Sequence, residues 1–196
     1  MPVRSVCVFC GSAAGARPGY AAAARELGRA LAAGNMTLVY GGGRVGLMGE
    51  IASATLAAGG RVVGVIPHAL ARKEIAQEDC TELFEVETMH ERKALMADRS
   101  DAFVALPGGY GTCDELFEIL TWAQLGIHHK PVAVLNVNGF FTPLLAWLDH
   151  LVAEGLLRPK HRALLLAADT VPDLLARLTT WTPPEPVTKW AEPEER

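Results

Sequence analysis

Short apolar, β-branched runs alternate with longer stretches of helical periodicity along the chain. The runs predict strands over 5–9, 37–40, 62–66, 83–86, 102–106, 132–135 and, on a weaker pattern, 163–167. Helices are predicted over 20–33, 46–58, 90–100, 113–125, 141–154 and 172–180. The runs VCVF, AFVAL and VAVL are apolar at successive positions. Such strands bury both faces, as when helices cover a sheet on either side. The alternation therefore predicts a single-domain α/β protein, a doubly wound parallel sheet of the Rossmann-like, nucleotide-binding type. Its pattern is weakest over 67–86, where a loop over the site is expected. The domain is expected to span 1–181, and the Pro-rich, charged stretch 182–196 to form a tail.

Composition narrows the function classes. Half of the 196 residues are hydrophobic and a fifth are charged, which is ordinary for a globular chain. The net charge is −4 and no basic block occurs, so no nucleic-acid or anionic-membrane partner is expected. No apolar stretch is long enough for a membrane span, and the first ten residues lack the features of a signal peptide. A cytoplasmic protein is expected. Cys7, Cys10, Cys80 and Cys113 fit free thiols in a reducing compartment. Cys7 and Cys10 form a C-x-x-C, but along a strand their odd spacing points them to opposite faces.

Two glycine clusters follow strands, where this fold binds ligands. The first, 41–49, reads GGGRVGLMG. Its glycines allow close approach of a ligand to the backbone, and the following helix start offers N–H groups to a phosphate. Gly42, Gly43, Gly46 and Met48 are candidate contacts. No carboxylate ends the next strand, which argues against a dinucleotide, and the Walker lysine is missing too. A tight turn with no ligand is the competing account of these glycines. The second cluster, 107–115, reads PGGYGTCDE and suggests another phosphate cradle through Gly108, Gly109, Tyr110, Gly111 and Thr112. Thr112 and Glu115 also fit a capping box, a purely structural role. If the two preceding strands are neighbours, the loops lie side by side and Glu115 faces the ligand.

Between the clusters, His90-Glu91-Arg92-Lys93 opens a helix. Two adjacent cations disfavour a helix start, so they point to an anion nearby; otherwise they mark a solvated face. Arg92 can hold a phosphate or carboxylate with its planar fork. Glu74, by itself, is an anonymous carboxylate. The six histidines have no metal-ligand spacing, and no metal or other cofactor is expected. No G-x-S-x-G elbow supports a serine hydrolase.

Together these motifs resemble the LONELY GUY family of cytokinin riboside 5′-monophosphate phosphoribohydrolases, whose bacterial members were long labelled lysine decarboxylases. The pattern P-G-G-x-G-T-x-x-E runs from Pro107 to Glu115, the Arg-Lys pair stands at Arg92-Lys93, and G-G-G-x-x-G-L-M-G fills 41–49. Further matching stretches are SDAF at 100–103 and TWAQLG at 121–126. The resemblance implies Arg92 and Glu115 as the catalytic pair. It implies substrate contacts at Glu74, Lys93, the loop 109–112 and Thr121, and a homodimer with the site near the subunit interface. The implied reaction is hydrolysis of AMP or a cytokinin riboside 5′-monophosphate to free base and ribose 5-phosphate. Glu115 would stabilise the oxocarbenium-like ribose or activate water, with Arg92 positioning substrate. The rival readings are a nucleotide or cofactor carrier without chemistry, and a decarboxylase, for which no convincing Schiff-base lysine stands out.

Overall fold

The structure, a computed structural model, describes residues 2–74 and 76–183, with the backbone alone over 72–74. Strand β1 (Ser5–Phe9) shows how the sheet divides its side chains. Val6, Val8 and Cys10 enter one core, while Cys7 and Phe9 enter the other. The two cysteines thus lie on opposite sides of the sheet, as their spacing requires. The first core is closed by helices α1 (Pro18–Ala33), α2 (Gly46–Ala57) and α8 (Val171–Thr180) through Leu27, Leu31, Ile51, Leu174 and Leu178. The second is closed by α4 (Met89–Asp98), α5 (Tyr110–Gln124) and α6 (Thr142–Ala153) through Met96, Leu116, Ile119 and Leu148. Past their first residues, Ser5 and Thr37, the central strands β1 and Thr37–Tyr40 are buried on both faces because helices cover the sheet on either side.

Seven parallel strands form the sheet in the order β4-β3-β2-β1-β5-β6-β7. The others are β2 (Thr37–Tyr40), β3 (Val62–Pro67), β4 (Glu82–Val86), β5 (Ala102–Ala105), β6 (Val132–Leu135) and β7 (Leu165–Ala168). The chain winds outward from β1 to β4, and α4 then carries it back to start β5 on the other side of β1. Winding reverses between β1 and β5, the place where loops diverge and doubly wound folds bind ligands.

The seven strands and six long helices were legible in the sequence, but three expectations change. The stretch over 67–86 contains helix α3 (His68–Glu74) before the chain returns as β4. A four-residue α7 (Pro159–Arg162) precedes β7. Most importantly, α5 begins at Tyr110, with extended Gly109 as its N-cap, and not at Cys113. Thr112 is then in the first turn, no side chain caps the helix, and the competing account of Thr112 and Glu115 as a capping box does not hold. Such a cap occurs instead at α4, where the Glu91 N–H donates to Thr88 Oγ1 and the Glu91 carboxylate accepts from the Glu87 N–H. Pro184–Arg196, most of the expected tail, lie outside the described residues.

Candidate active site

The two glycine loops follow β2 and β5, which are not neighbours: β1 lies between them. The loop after β1 therefore joins what the sequence suggested would touch directly. The Gly11 N–H donates to Pro107 O (3.0 Å), and Gly11 O accepts from the Leu47 N–H at the start of α2 (3.0 Å). This middle loop was missed in the sequence. Its only signal was a glycine directly beyond an apolar strand, in Cys10-Gly11-Ser12.

The first cluster is filled largely by the protein's own atoms. Gly42 has φ +76° and packs on Ile66 and Leu83, and Gly46 has φ +59° and packs on the Ser12–Ala13 backbone. Gly43 bridges to Ala76, and the Gln77 N–H donates to Gly42 O (3.0 Å). Met48 is buried in the core. These glycines let neighbouring backbone and side chains approach closely, which is the packing use of glycine. The second cluster is open. A Cβ on Gly109 or Gly111 would meet nothing within 4 Å. Tyr110 is 97 % exposed, whereas Thr112 is buried and its Oγ1 has no hydrogen-bond partner. Free N–H groups of the first helical turn beneath the open space at Gly109 and Gly111, with a buried unsatisfied hydroxyl packed under Gly108, suit an anionic ligand.

Farther along the same face of α5, Glu115 meets Arg92 from α4. The pair is buried, with Arg92 Nη1 3.5 Å from Glu115 Oε1. Arg92 is anchored elsewhere as well: Nε donates to Val65 O (3.1 Å) and Nη2 to Gly41 O (3.2 Å). Its guanidinium thus ties the ends of β2 and β3 to the carboxylate on α5. Burial pushes the Glu115 carboxyl up to about 7, although Arg92 opposes the shift. Loss of solvation outweighs attraction across a 3.5 Å gap, as is common for buried ion pairs. Cys10, also buried here, stays a neutral thiol because burial and Glu115 raise its pKa.

Residues 48–178 match a protein family described as "Possible lysine decarboxylase". A protein of Oryza sativa subsp. japonica named as a probable cytokinin riboside 5′-monophosphate phosphoribohydrolase is 55% identical over 180 residues, covering 92% of this chain and 79% of its own. An Arabidopsis thaliana cytokinin riboside 5′-monophosphate phosphoribohydrolase is 49% identical, covering 92% of this chain and 84% of its own. The chain belongs to the LONELY GUY family. The molybdenum cofactor carrier protein of Chlamydomonas reinhardtii shares the fold, with a TM-score of 0.68, 23% identity, and coverage of 88% of this chain and 93% of that one.

Among the residues expected from LONELY GUY proteins, Arg92, Glu115 and the loop 108–112 converge at the switch point. Lys93 lines a small hollow with Phe9 and Glu115 and is held there by Asp114 (3.1 Å) and Glu118 (3.0 Å). Burial lowers the Lys93 pKa, but the hydrogen bonds it donates to Glu118 and Asp114 outweigh that and leave it above its ordinary value. Such a lysine keeps its proton, the opposite of what a Schiff-base nucleophile needs. Lys130 donates to Ala97 O (2.8 Å) and is committed to structure. The decarboxylase label thus finds no support in either side chain. Thr121 donates to Phe117 O (2.7 Å) and faces an apolar hollow with Leu120, Trp147 and Leu151, apart from the Arg92–Glu115 pair. Glu74 ends α3, and its side chain is outside the described residues.

Proposed function

We propose that this protein hydrolyses the N-glycosidic bond of nucleoside 5′-monophosphates, releasing free base and ribose 5-phosphate. AMP and cytokinin riboside 5′-monophosphates such as isopentenyladenosine monophosphate are the substrates. The observation that carries this reading is the buried Glu115, held by Arg92, on the same helix as an open cradle with an unsatisfied Thr112 hydroxyl. The names of relatives at about half identity support it.

The phosphate is held at the start of α5 by Gly108–Thr112, which brings the ribose toward Glu115. As the bond between base and anomeric carbon breaks, its electron pair leaves with the base and positive charge grows on the ribose. Ionised Glu115 stabilises that charge and takes a proton from the attacking water. A carboxyl titrating at about 7 also returns that proton to the departing base, so one residue closes the proton balance. Arg92 remains charged, holds Glu115 in place and stabilises its ionised form. Lys93 adds a charge from the small hollow it shares with Glu115, Glu74 stands at the end of α3, and Thr121 contributes from the surface that a second copy covers, while Gly42, Gly43, Gly46 and Met48 shape the floor.

The protein acts as a homodimer. Phe117 and Trp147 pack edge to face (6.0 Å), and Trp147 remains exposed on the apolar surface that carries Thr121, Leu120 and Leu151. A second copy covers that surface. Among the described residues no helix is long and apolar enough to cross a membrane. A cytoplasmic setting agrees with four free cysteines.

The test is chromatography of products after incubation with AMP and with isopentenyladenosine monophosphate. Free base with ribose 5-phosphate is expected. No release from either, with calorimetric binding retained, makes the protein a nucleotide carrier.

A further inference from the structure

A nucleoside monophosphate presents a phosphate, a ribose diol and a base. The cradle at the start of α5 provides for the first, and Glu115 for the anomeric carbon. Nothing described so far holds the sugar hydroxyls, yet hydrogen bonds to them commonly strengthen as a glycosidic bond breaks. Thr112 and Glu115 are three residues apart on one helix, or about 4.5 Å along its axis. A ribose spanning that short distance must lie against whatever flanks the beginning of α5.

The flanking segment is the loop after β1. Gly11 is bonded to Pro107 on the α5 side and to Leu47 on the α2 side. A Cβ on Gly108 would approach the Gly11 nitrogen to 3.0 Å, so the loop and the cradle are in backbone contact. On its other side, a Cβ on Gly46 would collide with the Ser12 and Ala13 backbone. Both cradle and first glycine loop therefore fix this segment. From 11 to 15 it reads Gly-Ser-Ala-Ala-Gly, so Ser12 has its single polar side chain. Ser12 is exposed, and among the described residues neither its hydroxyl nor its N–H has a hydrogen-bond partner.

We propose that Ser12 is a substrate-binding residue whose hydroxyl and N–H engage the ribose hydroxyls of the nucleoside monophosphate, because the β1 loop stands between the phosphate cradle and the first glycine loop. This rests on the phosphoribohydrolase reading and extends it. Ser12 joins the site by being clasped in place, without a glycine-rich or charged motif of its own.

The experiment compares AMP with 2′-deoxy-AMP and 3′-deoxy-AMP in the wild type, Ser12→Ala and Ser12→Thr proteins. Loss of one neutral hydrogen bond predicts a fall of about tenfold in kcat/KM for AMP in Ser12→Ala. The deoxy substrate lacking the partner hydroxyl should be unchanged by that substitution, and Ser12→Thr should recover AMP turnover. Equal effects on all three substrates, or none on any, overturn the proposal. If wild-type protein releases no base from AMP, the phosphoribohydrolase reading fails by itself. The same substitution and nucleotide pairs measured by calorimetry then decide the ribose contact, with equal losses or none again overturning it.

Discussion

Arg92 occupies the space that a side chain at Gly41 would fill. Nη2 of Arg92 donates to Gly41 O (3.2 Å), and a Cβ on Gly41 would run into that same nitrogen. Unlike Gly42 and Gly46, Gly41 is outside the left-handed region, so room alone requires glycine here. Gly41→Ala should leave the backbone intact and push the guanidinium from its seat. A displacement of about 1 Å in a positioning group can cost roughly a hundredfold in rate. We expect a loss of that order in kcat with little change in melting temperature, read by steady-state kinetics and thermal unfolding. Unchanged kcat would show that Arg92 is not needed in its observed place.

Burial pushes the Glu115 carboxyl up to about 7, and in the proposed mechanism its ionised form accepts the proton of water. Activity should therefore rise with pH toward a plateau above about 7, with kcat/KM falling tenfold per unit on the acid side. Arg92 favours the ionised form. Arg92→Gln removes that support, so the acid limb should move to higher pH while the plateau falls. A fall in rate with an unmoved limb would assign Arg92 to substrate and not to Glu115.

The same shift has a stability sign. Glu115 is raised from 4.5 to about 7, so the folded state binds its proton more tightly than the unfolded state. Its stabilising contribution is complete below about pH 4.5 and is lost as pH rises through about 7. The ionisation cost is on the order of 3 kcal/mol at pH 8, at about 1.4 kcal/mol per pKa unit. Glu115→Gln should be inactive yet more stable than wild type at pH 8, with the gap closing toward pH 5. Denaturant unfolding at the two pH values measures it. A variant less stable at pH 8 would mean that the ion pair with Arg92 is a net gain.

Thr112 should behave in the opposite sense to an ordinary buried residue. Its hydroxyl is buried without a partner, a cost of about 1–3 kcal/mol until a ligand supplies one. Thr112→Val should raise the melting temperature of the free protein by a few degrees, about 2–4 °C per kcal/mol at this chain length. It should also weaken AMP binding by about tenfold or more, as seen by calorimetry. Weaker stability with unchanged binding would place the hydroxyl in packing alone.

The sheet was readable because each strand is short, apolar and followed by a periodic helix, so the order of elements survives errors at their ends. Strand adjacency was not readable: periodicity does not reveal that β1 separates β2 from β5. Glu115 and Arg92 were found from motif and charge. The reason they belong together was hidden, because it depends on carbonyls at Gly41 and Val65 far away in sequence. The Thr112–Glu115 spacing suggested a cap because side-chain type is visible in sequence while the first helical turn is not. Ser12 carried no signal at all, since its importance comes from the two loops that hold it.

Arg92 sits on the segment that returns the chain from the far edge of the sheet. Its anchors, Val65 in β3 and Gly41 just beyond β2, are laid down before that return, and Glu115 belongs to the helix that follows it. The buried Glu115 carboxylate, the proposed base, is thus secured across the seam between the earlier and later parts of the chain. A protein with either part misdocked would retain most of its secondary structure and lose this arrangement. Turnover therefore reports that the two parts have closed on each other, which a spectrum of helix and strand content cannot do.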